Sequence, residues 1–194
     1  MTDGAEVDRA VTLAEMAPHP SVTVDVLTGR EPTFPDGRLH DPPVTHLDGT
    51  EAPAYVLRNE KRGIGLGTKR NTTKPAADRG TVVLVTDRRT LCLVGGDDED
   101  TVVEVPHDAV AAATYHTGLL ATRFVLRTPS KQYHCWADRT TDESLLSAAA
   151  EYVEERTVDS PNEVEADDGA SPLTYRGQPV NTGSGDSADD AVEN

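Results

Sequence analysis

From residue 53 onward the chain alternates short β-rich apolar runs with turn residues. Runs rich in Val, Leu, Thr, Ile and Tyr fall at 54–58, 63–68, 81–86, 90–94, 101–105, 110–116, 119–128 and 131–137, each short enough to be one strand. Between them stand Asp87-Arg88-Arg89, Gly95-Gly96-Asp97-Asp98, Pro106-His107-Asp108, Thr117-Gly118 and Pro129-Ser130, where Gly supplies positive φ, Pro fixes φ, and Asp and Ser bond their own backbone. Seven or eight strands at this spacing predict an antiparallel sandwich or partly open barrel. One helix follows. Thr140 and Glu143 are spaced as a capping box, and Leu145, Leu146, Ala149, Tyr152 and Val153 share one helical face. Such a helix has to bury its stripe on the sheets or over an open barrel end.

The flanks lack this regularity. Residues 6–16 can form a short helix with Val7, Ala10, Val11 and Ala14 on one face, and 21–27 alternates as a strand would. Pro32, Pro35, Pro42 and Pro43 then interrupt any regular element. Residues 1–50 therefore read as a linker-like extension, partly ordered at most. Residues 157–194 are acidic, rich in Gly, Ser and Pro, and without apolar periodicity; they cannot bury enough surface to offset their ordering entropy, and are expected to be disordered. The folded domain is expected over 51–156.

Charge sharpens this division. The 194 residues carry a net −16, but residues 1–50, 51–156 and 157–194 carry −6, −2 and −8, so the acidity sits in the flanks. Fourteen of the 18 basic residues are Arg. With abundant Asp and Glu, this composition resembles proteins adapted to high salt, as in haloarchaea, where screening removes carboxylate repulsion. The N-terminus has no basic segment followed by an apolar core, and no apolar run approaches the roughly 20 residues that span a bilayer, so no transmembrane segment and a cytoplasmic location are expected. Cys92 and Cys135 lie in strand-like runs without metal spacing and are expected as reduced core residues.

The segment 80–94 runs from Gly80 through Val82, Val83, Leu84 and Val85 to Thr86-Asp87-Arg88-Arg89 and on to Val94. It resembles the "G-x-hydrophobic-x-hydrophobic-T-[DN]-x-R-hydrophobic" hairpin of pleckstrin-homology (PH)-like domains, the bacterial and archaeal YokE-like and GRAM-like branches in particular. Val105-Pro106-His107-Asp108-Ala109-Val110 resembles the "I-P-x-x-x-I" signature that follows. The similarity spans about 52–156. It implies a mainly β, seven-stranded PH-like sandwich or partly open barrel capped by one C-terminal helix, between disordered flanks. It also implies a non-enzymatic binding module. Trp136 lies in the last strand, whereas eukaryotic PH domains often carry a Trp in the terminal helix.

One segment is strongly basic. Between Arg58 and Arg89, nine basic residues face three acidic ones, a net of +6 in 32 residues. It includes Lys61, Arg62, Lys69, Arg70, Lys74, Arg88 and Arg89, with Gly63, Gly65 and Gly67 alternating between them. Glycines of this kind can expose N–H groups, and guanidinium forks complete an oxyanion or phosphate cradle. There is no Gly-Lys-Ser/Thr, so this is no Walker loop, and no helix follows to make a dinucleotide site. In lipid-binding PH domains a Lys before this loop and a Lys/Arg-x-Arg after it hold inositol phosphates. Lys61 and Lys69-Arg70 occupy the matching unit, without the intervening residue.

These seven residues are the expected contacts for an anionic lipid headgroup or an acidic or phosphorylated protein partner. The plain alternative is a solvated loop balancing the acidic flanks. A nucleic-acid accessory role would use the same segment, although no aromatic lies between Arg58 and Arg89 to stack on bases. His107, His116 and His134 are expected as surface or strand-edge imidazoles, and Asp97-Asp98-Glu99-Asp100 as a hairpin tip rather than a calcium loop. Tyr133, Trp136 and Phe124 read as core and cross-strand packing. No cofactor, metal or catalytic residue is assigned.

Overall fold

The computed structural model describes residues 4–158 apart from 33, 35, 36 and 120. The segment expected to be disordered lies, from residue 159 onward, outside the described residues. The strands are β1 (Pro53–Asn59), β2 (Ile64–Leu66), β3 (Thr72–Thr73), β4 (Thr81–Thr86), β5 (Arg89–Val94), β6 (Thr101–Pro106), β7 (Ala112–His116), β8 (Thr122–Arg127) and β9 (Gln132–Ala137). They form a four-stranded sheet, β1-β4-β5-β6, and a five-stranded sheet, β3-β2-β9-β8-β7, both antiparallel throughout. A helix, Glu143–Val158, closes the order. The expected mainly β sandwich with one C-terminal helix is the observed architecture.

The first two runs belong to different sheets. β1 pairs with β4, and after a turn the chain resumes as β2 against β9. Asn59 holds this pivot, its Oδ1 accepting the N–H of Lys61 (2.9 Å) and of Arg62 (2.6 Å). Gly63 follows, where a Cβ would lie 2.0 Å from Thr73 O, so no other residue fits. The two-residue β3 brings the eight runs of the sequence to nine strands among the described residues.

β4 and β5 are apolar without alternation because their sheet is covered on both faces. Its inner face presents Leu57, Val83, Val85, Cys92 and Val94 to a core completed by Ile64, Phe124, Leu126 and Cys135 of the other sheet. Its outer face presents Val56, Val82, Leu84, Leu91 and Leu93 to Ala10, Val22, Val26, Leu27, Leu39, Val44 and Leu47. The linker-like reading of residues 1–50 is thereby corrected. The described part of this segment holds α1 (Gly4–Met16), α2 (Val24–Leu27) and a 3-10 turn, Pro43–His46, and lays their apolar residues on the sheet. The alternation at 21–27 becomes a helical turn, with Thr23 Oγ1 accepting the Val26 N–H at 3.3 Å. Pro42 and Pro43 start the 3-10 turn rather than break structure.

Polar contacts fix this covering segment. Arg9 of α1 donates to Val44 O (3.3 Å), Leu47 O (3.0 Å) and Asp48 O, satisfying carbonyls at the end of the 3-10 turn. Buried Glu31 accepts from Arg38 Nε (2.7 Å) and Arg58 Nη1 (2.6 Å). Burial alone would raise its pKa, but the two guanidinium groups outweigh that and hold it below the ordinary carboxylate range. Arg38 also runs across Gly80, where a Cβ would come within 2.6 Å of its side chain.

The C-terminal helix, α3 (Glu143–Val158), begins at Asp142, whose Oδ1 accepts the Ser144 N–H at 2.9 Å. Asp142 rather than Thr140 is the cap, since Ser144 stands at the second helical position. Leu146, Ala149, Ala150 and Val153 enter the inter-sheet core. Cys92 and Cys135 are free and buried; the neighbouring Cys135 thiol and burial push the Cys92 pKa up. His107 is not at the surface. It is 2% exposed, its Nε2 stands 3.1 Å from Thr90 Oγ1, and burial and then Arg156 push its pKa down to about 4. Among the described residues no helix is long and apolar enough to cross a membrane.

Candidate functional site

The two sheets differ in what lies on their outer faces. The N-terminal segment covers β1, β4 and β5 of the four-stranded sheet, while the outer face of β3-β2-β9-β8-β7 carries long polar side chains of its own. Pleat alternation fixes which these are. Phe124, Leu126 and Cys135 point into the core, so Arg123, Val125, His134 and Trp136 point outward. Trp136 therefore belongs to neither core cluster, whereas Phe124 lies in the core and Tyr133 packs against it, as expected. The Arg62 guanidinium lies over the indole, 4.6 Å from the ring centroid, and that of Arg123 lies 5.8 Å from it. These two side chains leave Trp136 7% exposed.

Three polar atoms on this face are buried and have no hydrogen-bond partner among the described residues: Arg123 Nε, His134 Nδ1 and Trp136 Nε1. Buried polar groups are nearly always satisfied, and two of these three can only donate. The His134 pKa is lowered by burial and then by Arg123, His116 and Lys69, so the imidazole is neutral at neutral pH in a positive field. No carboxylate relieves that field from within the sheet. The strands of this sheet contain no Asp or Glu, and segments 61–77 and 112–137 together carry eight basic residues and no acidic one. In a chain with 34 acidic residues, the arrangement can accept an anion.

The sequence-derived residues divide between two places. Arg62 lies on the indole, and Lys61 stands beside it at the pivot with its side chain exposed. Lys69 and Arg70 form the exposed tip between β2 and β3, close enough for Lys69 to act on His134, and exposed Lys74 follows β3. A cleft of about 430 Å³ opens beside Arg62, with Lys61, Asp138, Arg139 and Thr140 in its walls. Burial raises the pKa of Asp138, against the nearby arginines.

Arg88 and Arg89 stand elsewhere. They follow Thr86, which pairs with Pro53, whereas the pivot follows Asn59, which pairs with Thr81; five strand steps, roughly 17 Å, separate the two ends. Arg88 Nη2 donates to Thr50 Oγ1 at 2.6 Å. Arg89 is bound to Glu51, Glu104 and Asp48, so its charge is already met.

The glycine cradle read from the sequence does not form as such, because the glycine backbone groups are used within the sheet. Gly67 donates its N–H to Gln132 O at 2.8 Å, and the Trp136 N–H reaches Gly63 O at 3.3 Å, so these glycines serve sheet pairing. The side chain missed in the sequence is Arg123. Its signal was the stretch 112–137, which has three basic residues and no acidic one but lies outside the denser block.

No protein-family model matches the chain, and no curated protein matches it. Among solved structures the chain is similar to the Vps36 N-terminal PH domain, with a TM-score of 0.44 and 16% identity over 58% of this chain and 86% of that one.

Proposed function

We propose that this chain is a non-enzymatic interaction module that captures phosphate groups on the outer face of its five-stranded sheet. Arg62, Lys69 and Arg123 are the principal contacts, with Lys61, Arg70 and Lys74 at the rim. The observation that carries the reading is the set of partnerless atoms, Arg123 Nε, His134 Nδ1 and Trp136 Nε1, on one face without carboxylates. An oxyanion satisfies several donors at once, and a guanidinium presents them in a rigid fork. Arg88 and Arg89 have no part in this contact. Nucleic acid is disfavoured because Trp136 lies under Arg62 and offers no open ring for a base.

The phosphate can be soluble or borne by a lipid, and two arms of one experiment distinguish these sources. The chain is titrated with pyrophosphate, and separately sedimented with phosphatidylglycerol vesicles against phosphatidylcholine vesicles. Binding in either arm that is lost in the Arg62→Ser/Lys69→Ser/Arg123→Ser variant supports the proposal; capture only by phosphatidylglycerol identifies a headgroup ligand. Binding unchanged in that variant, or absent in both arms, overturns it.

A further inference from the structure

A second group of chemically apt side chains lies away from this sheet. Asp41 and His46, from the N-terminal segment, meet Asp100, which precedes β6; one donor atom from each lies within 4.8 Å of the others. We propose that these three side chains bind a divalent first-row transition metal ion and thereby tie the covering segment to the turn between β5 and β6.

The donor set suits such an ion. Two carboxylates neutralise a divalent charge, and one imidazole adds a nitrogen favoured by Zn²⁺ and Fe²⁺, while the oxygens also suit Mn²⁺. Ligands around a tetrahedral Zn²⁺ at about 2.1 Å stand roughly 3.4 Å apart.

The surroundings supply two further observations. His46 Nε2 is buried and has no hydrogen-bond partner among the described residues, although an imidazole nitrogen out of water ordinarily finds one. Asp100 is already oriented. Its Oδ2 accepts the N–H of His40 (2.8 Å) and of Asp41 (3.1 Å), and its Oδ1 stands 3.1 Å from the His40 nitrogen. Backbone bonds of this kind fix a ligating carboxylate while leaving lone pairs for the ion. Among the described residues no ion pair includes Asp41 or Asp100. His40 is not part of the set, because its Nε2 stands 3.1 Å from Gly96 O and its Nδ1 3.4 Å from Arg79 Nη2.

The test uses the full chain with ZnCl₂ and MnCl₂ in separate calorimetric titrations. One metal per chain is expected, weakened at least about tenfold in His46→Gln and in Asp41→Asn, with His40→Asn and His116→Asn unchanged. Asp41 is exposed, so its variant keeps the fold, and thermal unfolding without metal checks this. Mn²⁺ should broaden amide signals around residues 41, 46 and 100 first. Binding that survives His46→Gln and Asp41→Asn, broadening centred elsewhere, or no binding of either ion overturns the proposal.

Discussion

Glu51 grips Arg89 with both carboxylate oxygens, Nε donating to Oε1 at 3.0 Å and Nη2 to Oε2 at 2.8 Å. Glu51 is 1% exposed. Burial raises its pKa, but hydrogen bonds from Arg89, the Asp48 backbone and Thr86 prevail and hold it low. Arg89 is thus a structural residue in a stretch that otherwise looks like a ligand-binding block. Arg89→Ala should cost about 3–5 kcal/mol, because it leaves a buried carboxylate without its partner. Urea unfolding measures this, and pyrophosphate affinity at a permissive temperature should be unchanged. A loss of affinity with little loss of stability would return Arg89 to the binding surface.

Trp136 is the chain's single tryptophan, so it reports the proposed site without labelling. Arg62→Ala uncovers one side of the indole, and its emission should shift to the red. The lost cation–π contact should cost about 0.5–1 kcal/mol of stability. In the unaltered chain, pyrophosphate should change Trp136 emission with the same midpoint as the calorimetric titration. An emission spectrum unmoved by both changes would mean that the indole is shielded by other groups.

The N-terminal segment covers an apolar sheet face rather than connecting domains. A chain starting at residue 51 would expose Val82, Leu84, Leu91 and Leu93, each at most 1% exposed now. At roughly 1.5–3 kcal/mol per fully buried aliphatic side chain, this is comparable with the whole stability of an ordinary domain. The truncated chain should bind a hydrophobic dye and aggregate, whereas one truncated after residue 158 should unfold at the temperature of the full chain. A monomeric, cooperatively unfolding 51–194 fragment would show the covering to be dispensable.

The strands other than β3 were legible because they are short, apolar on the core face and bounded by turn residues. The covering segment was not. Leu39, Val44 and Leu47 are single anchors spaced by prolines and turns, without the period of a helix or strand, and their common surface exists only once β4 and β5 pair. The continuous run Val82–Val85 did carry the hint, since a sheet apolar on both faces needs something on each. The basic block was legible as charge but not as place. Antiparallel pairing sends Arg88 and Arg89 to the far end of the sheet and brings Arg123 to Arg62 from 61 positions away. Asp41 and His46 meet Asp100 from more than 50 positions away, so no spacing rule could join all three.

Stability should fall on mild acidification because of His107. Its folded pKa of about 4 lies below the 6.5 of the free side chain, so the unfolded state takes up the proton first. Above about pH 6.5 both states are neutral and the group has no effect. Between pH 6.5 and 4 stability drops, by about 3 kcal/mol in all. Glu31 and Glu51 act lower, because their folded pKa values lie below 4.5 and their contribution is lost only as the pH falls through those values. Urea midpoints measured across this range should decline from pH 6.5, and His107→Gln should flatten the upper part of the decline. An unchanged slope in that variant would show His107 to be solvated.

His134 gives the opposite sign for binding. Burial and neighbouring positive charge lower its pKa in the free protein, and a bound phosphate would cancel part of that field and raise it. Binding is then coupled to proton uptake, so phosphate affinity should strengthen as the pH falls from about 7 toward 5. It should level off once His134 is protonated in the free protein as well. His134→Gln should remove most of this dependence, leaving the weaker trend from the phosphate's own titration. Calorimetry in two buffers of different ionisation enthalpy reads the proton directly. Uptake that persists undiminished in His134→Gln would place the anion away from the outer face of β9.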